Sequence, residues 1–313
     1  MTINWGFIGA SWVAGKGMVP AVTAASNAHL YAVASRDADR SLALGPERVH
    51  DTYADLIADP AVDAVYISLA NHLHCEWAVR ALDAGKHVLC EKPLATTSDE
   101  ARRMINAATA NDRLLVEAVW SRWHPRFARA VELVRDGSIG QIQSISSEFT
   151  FTGDFDNNYR LSPDCGGGSL LDVGPYQVHA WAALIDDISD FTIQELHRSI
   201  GPTGVDLTTR FSGTINSSIH VSALASFEMA EKQSLTITGE SGVIEFLGGQ
   251  SFTSWNEASS LRVNDNEEHF APVDPFTVMI HSMGERIAGG DAWLPSNRES
   301  LRVMEILDQV KAH

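Results

Sequence analysis

Basic residues are scarce in this chain. Lysine and arginine number 23 against 40 aspartates and glutamates, a formal net charge of −17 over 313 residues. Nucleic acid and anionic membrane surfaces both require a basic footprint, so neither is expected as a partner. Cysteine is also scarce. Cys75, Cys90 and Cys165 show neither metal-ligand spacing nor an even-numbered disulfide framework, so no metal is expected and reduced thiols are. No apolar run reaches the roughly 18 residues that suggest a membrane-spanning helix, and the N-terminus lacks a signal-peptide layout. These features lead us to expect a cytoplasmic protein. There is no internal repeat, low-complexity tract or flexible linker. What is present is an ordinary globular complement of apolar residues, 44% of the chain, and length enough for two domains.

The first 120 residues alternate short apolar runs with helical segments. Strands are expected at 3–8, 30–35, 62–69, 87–90 and 114–119, with helices between them. That alternation predicts a parallel sheet wound on both faces. The first strand runs into Gly9-Ala10-Ser11-Trp12-Val13-Ala14, a variant of the G-x-G-x-x-G/A dinucleotide fingerprint. Gly9 permits the tight turn, and Ser11 is small enough for a pyrophosphate to approach and can donate to it. Ala14 allows close helix–strand packing. An ordinary strand-to-helix turn would explain the same residues with less content.

The second strand ends Ala34-Ser35-Arg36-Asp37. An NAD site places an acidic residue at this point to bind the ribose 2′-hydroxyl, whereas a nearby arginine suits a 2′-phosphate. Asp37 comes two residues late for the first role. Ser35 and Arg36 suit the second, so NADP is expected in preference to NAD.

The fourth strand ends in Glu91-Lys92-Pro93. Proline disfavours helix at the residue before it, so Lys92 stands at an extended strand end. Ligands of open parallel sheets bind beyond such ends.

After residue 121 the texture changes to a helix near 124–136 and then alternating strands at 142–151, 207–215, 219–227, 233–238 and 243–246. Residues 239–242 form a tight hairpin joining the last two. The expected architecture is thus an α/β Rossmann domain at 1–120, followed by an α+β domain at 121–313 with a large open-faced, mostly antiparallel sheet. The amphipathic helix 298–310 is expected to pack back on the first domain.

Between the strands lies Cys165-Gly166-Gly167-Gly168-Ser169-Leu170-Leu171-Asp172-Val173-Gly174-Pro175-Tyr176-Gln177-Val178-His179. Spacings of 4 and 3 place Asp172, Tyr176 and His179 on one helical face. Pro175 either kinks that helix or begins it. A tyrosine acts in proton transfer when its pKa, near 10 in water, is lowered, and a neighbouring ammonium does this by favouring the phenolate.

These pieces resemble the glucose–fructose oxidoreductase/inositol dehydrogenase (Gfo/Idh/MocA) family. The matching residues are Trp5-Gly6-Phe7-Ile8-Gly9-Ala10-Ser11, Asn71-x-x-His74, Glu91-Lys92-Pro93 and Gly166-Gly167-Gly168-x-Leu170-x-Asp172-x-Gly174. Tyr176, where many members have histidine, together with Glu117-Ala118-Val119-Trp120-Ser121-Arg122, is similar to the dimeric dihydrodiol dehydrogenase/NADP-dependent xylose dehydrogenase branch. The resemblance implies further cofactor contacts from Trp12, Val13, Leu69, Asn71, His74, Glu91, Lys92, Trp120 and Arg122. It implies catalytic roles for Lys92, Tyr176 and Asp172, and substrate contacts from these three and His179. It also implies a cis Lys92–Pro93 bond and a homodimer, or a higher oligomer, formed through the second domain's sheet.

The expected activity is NAD(P)-dependent hydride transfer at a carbinol or carbonyl of a sugar, polyol or trans-dihydrodiol. The alternatives are a reductase of anhydro sugars or dicarbonyls, and a non-catalytic nucleotide-sensing regulator. His179 or His74 acting alone is the competing acid–base candidate.

Overall fold

Four parallel strands end level with one another in the first part of the chain, and they set the geometry of that part. The structure, a computed structural model, describes residues 1–153, 155 and 158–313. The chain forms two compact units. Residues 1–120 with 274–301 make the first, and 121–273 with 302–313 make the second.

In the first unit, β1 (Ile3–Ile8), β2 (Ala28–Ala34), β3 (Arg48–His50), β4 (Ala64–Ile67), β5 (His87–Glu91) and β6 (Leu115–Ala118) form a parallel sheet. The strand order is β3-β2-β1-β4-β5-β6. The crossovers carry helices α1 (Val19–Ala24), α2 (Ala38–Ala43), α3 (Tyr53–Ala58), α4 (His74–Asp83) and α5 (Ser98–Ala110). All four residues of β4 and all four of β6 are buried, as expected for strands covered on both faces. The order reverses between β1 and β4, the switch point where doubly wound sheets bind nucleotides. The three-residue edge strand β3 was not expected; it carries no apolar run that would mark it.

Helix starts follow side-chain capping. Asp37, Thr52 and Thr97 accept from the first-turn amides of α2, α3 and α5.

The second unit contains α6 (Pro125–Arg135), α7 (Ser169–Asp172) and α8 (Gly174–Leu184). Its sheet consists of β7 (Ile142–Thr152), β8 (Phe191–Ile200), β9 (Asp206–Ile215), β10 (Ile219–Ser226), β11 (Glu228–Gly239), β12 (Val243–Leu247), β13 (Ser259–Val263) and β14 (Asn266–Phe270). Their order is β14-β13-β12-β11-β7-β10-β9-β8. Every pairing is antiparallel except that of β7 with β10. The expected strands and the 239–242 hairpin are all present. The unexpected strands β8, β13 and β14 lie towards the sheet's two ends. Charged and polar residues there blunt pairing with other chains and also dilute the alternation that marks a strand.

One face of this sheet is apolar, with Ile145, Phe149, Phe211, Val221, Leu235 and Ile237 buried. Helix α8 packs there, Trp181 meeting Phe211 edge-on at 5.6 Å between centroids. On the other face, the register aligns Ser212, Ser222, Ser146 and Thr236 in one cross-strand row.

Two helices follow the sheet. Helix α9 (Pro275–Ile287) belongs to the first unit, where Phe276 stacks on Trp120 at 4.6 Å. Helix α10 (Asn297–Ala312) was expected to return to the first domain. It groups with that unit only as far as Leu301 and with the second from Arg302 onward. There Arg198 donates to the Val310 carbonyl, and Gln309 Nε2 donates to the Phe191 carbonyl at 2.9 Å.

Candidate active site

The first unit brings the dinucleotide fingerprint and Lys92 to one edge of its sheet. In register, Ile8 lies beside Ile67 and Ile67 beside Cys90, so β1, β4 and β5 end together. Gly9, residues 69–71 and Lys92 follow those three strand ends.

Gly9 has φ +95°, and a Cβ there would lie 2.7 Å from the Ser68 carbonyl oxygen, so only glycine turns here without strain. Ser11 Oγ accepts from Ala14 N at 3.1 Å and caps the helical segment that follows. Its hydroxyl proton remains available to a phosphate at that helix start. Trp12, 71% exposed, and Val13 occupy the first turn. That turn passes through a π-helical stretch, Ala14–Met18, before α1.

The end of β2 carries the cationic subsite. Asp37 caps α2, accepting from Asp39 N at 3.0 Å and Arg40 N at 3.1 Å, which accounts for its late position. Ser35 Oγ donates to the Asp37 carbonyl at 2.6 Å and accepts from Ser41 Oγ at 2.8 Å, so it is held within its own turn. Arg36 is exposed. Arg40, which the sequence reading missed, joins it by donating to the Ala10 carbonyl of the fingerprint turn. Burial raises the pKa of the Tyr53 phenol, and the charges of both Arg36 and Arg40 oppose that rise. Two guanidiniums therefore stand near one phenol beside the dinucleotide turn, and these residues fit an anionic 2′-phosphate. No helical spacing pairs the two arginines, because Asp37 caps α2 and leaves Arg36 outside the helix.

Lys92 is joined to Pro93 by a cis peptide bond, as expected. Glu91 is buried and accepts from Tyr66 Oη at 2.7 Å. Burial raises its pKa, and the Tyr66 hydrogen bond and the Lys92 charge work against that rise. Buried Glu117 accepts from Leu94 N at 2.9 Å, holding the segment just past the proline. Asn71 is buried in the short turn before α4.

His74 is wholly buried, with Nδ1 2.9 Å from the Pro93 carbonyl and Nε2 3.1 Å from that of Leu69. Burial lowers its pKa. Its ring lies between the end of β4 and the end of β5, and as a neutral imidazole it donates to one of the two carbonyls.

The second unit assembles the other candidates on α7 and α8. Helix α8 begins at Gly174 with Pro175 in its first turn, so Asp172 closes α7 just before it. Asp172 is buried and pairs with Arg160 Nε at 2.8 Å. Arg160 titrates above the ordinary arginine range: burial opposes its charge, the Asp172 carboxylate overrides burial, and Tyr159 and Tyr176 act in the same direction. Tyr176 is 6% exposed, its ring 5.5 Å from Phe149 and 6.3 Å from Phe252. His179 is wholly buried, and its carbonyl accepts from Arg122 Nη1 at 3.3 Å. Asp172, Tyr176 and Arg160 thus share one neighbourhood. His179 follows Tyr176 by three residues on the same helix, one turn further along.

Arg160 and Asp206 are the residues the sequence reading missed in this unit. The Arg160 carbonyl accepts from Gly168 N at 2.9 Å, and a Cβ on Gly167 would lie 2.4 Å from that oxygen. Asp206 Oδ2 accepts from Ser169 Oγ at 2.7 Å, Leu170 N at 2.8 Å and Thr209 Oγ1 at 2.7 Å. A Cβ on Gly168, whose φ is +109°, would lie 2.0 Å from Asp206 Oδ1. The glycine run is therefore a place where other backbone and side-chain groups approach a helix start closely, and one of them, Asp206, comes from distant sequence. Among the described residues no His/Cys/Asp/Glu group is arranged to hold a metal, and no helix is long and apolar enough to cross a membrane.

Comparison with known proteins agrees with this geometry. The family model described as an oxidoreductase family with an NAD-binding Rossmann fold matches residues 3–118, and the Gfo/Idh/MocA C-terminal domain model matches 127–245. The chain is 32% identical over 316 aligned residues to D-xylose 1-dehydrogenase (NADP(+)) 2 of Haloferax volcanii, covering 98% of this chain and 95% of that one. An uncharacterised oxidoreductase of Rhizobium meliloti is 38% identical over 182 residues, an alignment spanning 54% of that protein. Among solved structures, a 3-ketoreductase from Actinomadura kijaniata in complex with NADP and TDP-benzene superposes with TM-score 0.90 and 28% identity. That match covers 100% of this chain and 98% of the ketoreductase. Matches to both domains and a full-length relative at this identity mean that the chain belongs to the Gfo/Idh/MocA oxidoreductase family.

Proposed function

We propose that this oxidoreductase interconverts a carbinol and a carbonyl on a sugar, polyol or trans-dihydrodiol, with NADP as its cofactor. The observation that carries the reading is the shared strand edge on which the Gly9 turn, residues 69–71 and Lys92 stand. NADP, when held by the residues at that edge, would supply or accept the hydride. Gly9, Ser11, Trp12 and Val13 hold the pyrophosphate side. Ser35 and Arg36, with Arg40, face the 2′-phosphate, and Leu69, Asn71, Glu91 and Trp120 complete the first unit's binding surface; Arg122 is the second unit's proposed contact to the cofactor. His74 acts from behind, by fixing the strand ends.

Tyr176 exchanges the proton of the substrate hydroxyl and Lys92 is the cationic catalytic group, the roles that the family resemblance implies for each. Asp172 and His179 orient the substrate, Asp172 with its charge balanced by Arg160. The NADP-dependent xylose dehydrogenase and the NADP-bound ketoreductase among its relatives support both the cofactor and the substrate class. The hydroxyl-rich sheet face around Ser146, Ser212 and Ser222 is the surface through which we expect a homodimer to form. Free Cys75, Cys90 and Cys165 suit a reducing, cytoplasmic setting. The domain assignment we propose is cofactor binding at 1–120 and substrate binding and assembly at 121–313.

The test is kinetic. Nicotinamide absorbance followed with a panel of aldoses, polyols and dicarbonyls identifies the substrate. Lys92→Met and Tyr176→Phe should each lower turnover on it by about 10²-fold or more, the scale of general acid–base catalysis. NADPH affinity should hardly change. In the oxidative direction the parent rate should rise with pH as the phenol becomes a base. Normal turnover by Tyr176→Phe, with an imidazole-like pH profile, would remove the tyrosine from the chemistry.

A further inference from the structure

We infer that Gln177 is a positioning residue that sets the rotation of α8 about its own axis and so aims Tyr176. The inference rests on the reading that Tyr176 exchanges the substrate proton. Ten of the eleven residues of α8 are buried, so the helix has no apolar stripe to select which face meets the sheet. A helix packed apolar on all sides keeps similar burial when it turns, whereas a buried hydrogen-bonded amide does not.

Gln177 supplies that directional contact. Its side chain is wholly buried. Its Oε1 accepts from Leu224 N at 3.1 Å and from Ser147 Oγ at 3.2 Å, and its Nε2 donates to the Leu224 carbonyl at 3.3 Å. Both sides of the amide are therefore matched to the two backbone groups of one residue in β10, with a hydroxyl from β7 as a third partner. Successive helical residues are about 100° apart, so the neighbour of a pinned residue is aimed by it. Release of the amide would let Tyr176 swing away from the reacting oxygen. Misplacement by about 1 Å costs on the order of 10²-fold in rate.

Gln177→Met keeps the length and removes the hydrogen bonds. Its kcat should fall about 10- to 100-fold, the scale of such misplacement, while the dissociation constant for NADPH stays within about twofold. The decisive readout is the double variant with Tyr176→Phe. If Gln177 acts by aiming the tyrosine, the double turns over as slowly as Tyr176→Phe alone, because groups acting as a unit are not additive. A merely structural glutamine would instead multiply the two losses, and that result overturns the inference. So does a kcat for Gln177→Met equal to the parent's. Should Gln177→Met fail to fold, Ser147→Ala removes one partner of the same amide. A smaller fall in kcat that vanishes in the Tyr176→Phe background supports the inference, and an unchanged kcat overturns it. If Tyr176→Phe itself turns over normally, the acid–base reading fails first. If only Gln177→Met and Ser147→Ala are normal, that reading stands and this inference alone falls.

Discussion

Mild acid should weaken the second unit through a single imidazole. His124 caps α6: its Nδ1 accepts from Arg126 N at 3.1 Å, which requires that nitrogen to be unprotonated. The ring is 4% exposed, and no described residue is hydrogen-bonded to its Nε2. Burial, and after it the Arg126 charge, lower its pKa from 6.5 to about 4. The sign follows from linkage. A folded pKa below the unfolded one contributes stability above pH 6.5, and that contribution disappears as pH falls towards 4. At 1.36 kcal/mol per pKa unit the full effect is about 3 kcal/mol, with about 2 kcal/mol of it gone by pH 5. The perturbation is His124→Asn, since asparagine is a good helix cap that does not titrate. The assay is an NMR titration of carbon-13-labelled histidines, with the variant assigning the missing resonance, alongside thermal unfolding of both proteins from pH 7 to pH 4.5. The parent should lose stability relative to the variant across that window, and the assigned resonance should still be that of a neutral ring at pH 5. A resonance titrating near pH 6.5, or unfolding curves that shift in parallel, would refute the reasoning.

Three other outcomes are expected. Arg36→Ala should weaken NADPH binding about 10- to 100-fold, the worth of a charge-assisted contact, and Arg40→Ala should act in the same direction, with NADH binding little changed in either; equal losses for both cofactors would count against the 2′-phosphate assignment. Arg160→Met should destabilise the chain by about 3–5 kcal/mol because it leaves a buried carboxylate bare, and adding Asp172→Asn should recover most of that in thermal unfolding; simple additivity of the two losses would show that the pair is not coupled. Light scattering at micromolar concentration should give a mass above the 34.1 kDa of one chain, and a monomeric mass would remove the sheet-mediated dimer.

How much was legible depended on whether the information was local. The strands β1, β2, β4, β5 and β6 read directly from the sequence because a strand buried on both faces must be a short continuous apolar run. Strands β8, β13 and β14 did not, since a strand near the end of a sheet is permitted to be polar, as in Asn266–Phe270. The same division runs through the site. Gly9, Lys92 and Tyr176 belong to compact motifs whose spacing carries their geometry. Asp206 reaches the start of α7 from 36 residues further along the chain. Arg160 reaches Asp172 from a single 3-10 turn, Tyr159–Leu161, too short to show a period in the sequence. No periodicity could have paired them, because a contact of that kind is made by the fold and not by the spacing. That α9 joins the first unit was not legible, for a related reason. Both α9 and α10 have an apolar side, and amphipathicity says that a helix packs without saying on what.

On the proposed mechanism, the charges near Lys92 in the first unit and near Tyr176 in the second give a reason why buried ions are retained where they are costly. Lys92 has the buried carboxylates Glu91 and Glu117 in its own unit, and Asp172 beside Tyr176 has Arg160 in its own. A lone carboxylate close to a phenol would oppose phenolate formation. Pairing it with a guanidinium removes that opposition while leaving its oxygens able to accept hydrogen bonds from substrate hydroxyls. Replacing Asp172 and Arg160 with apolar residues would satisfy stability equally well. On the proposed mechanism it would not supply a neutral, hydrogen-bonding surface against a tyrosine that carries charge in part of its cycle. That proposal gives the buried Arg160–Asp172 pair, just before the helix that carries the tyrosine, a reason other than the strength of the ion pair.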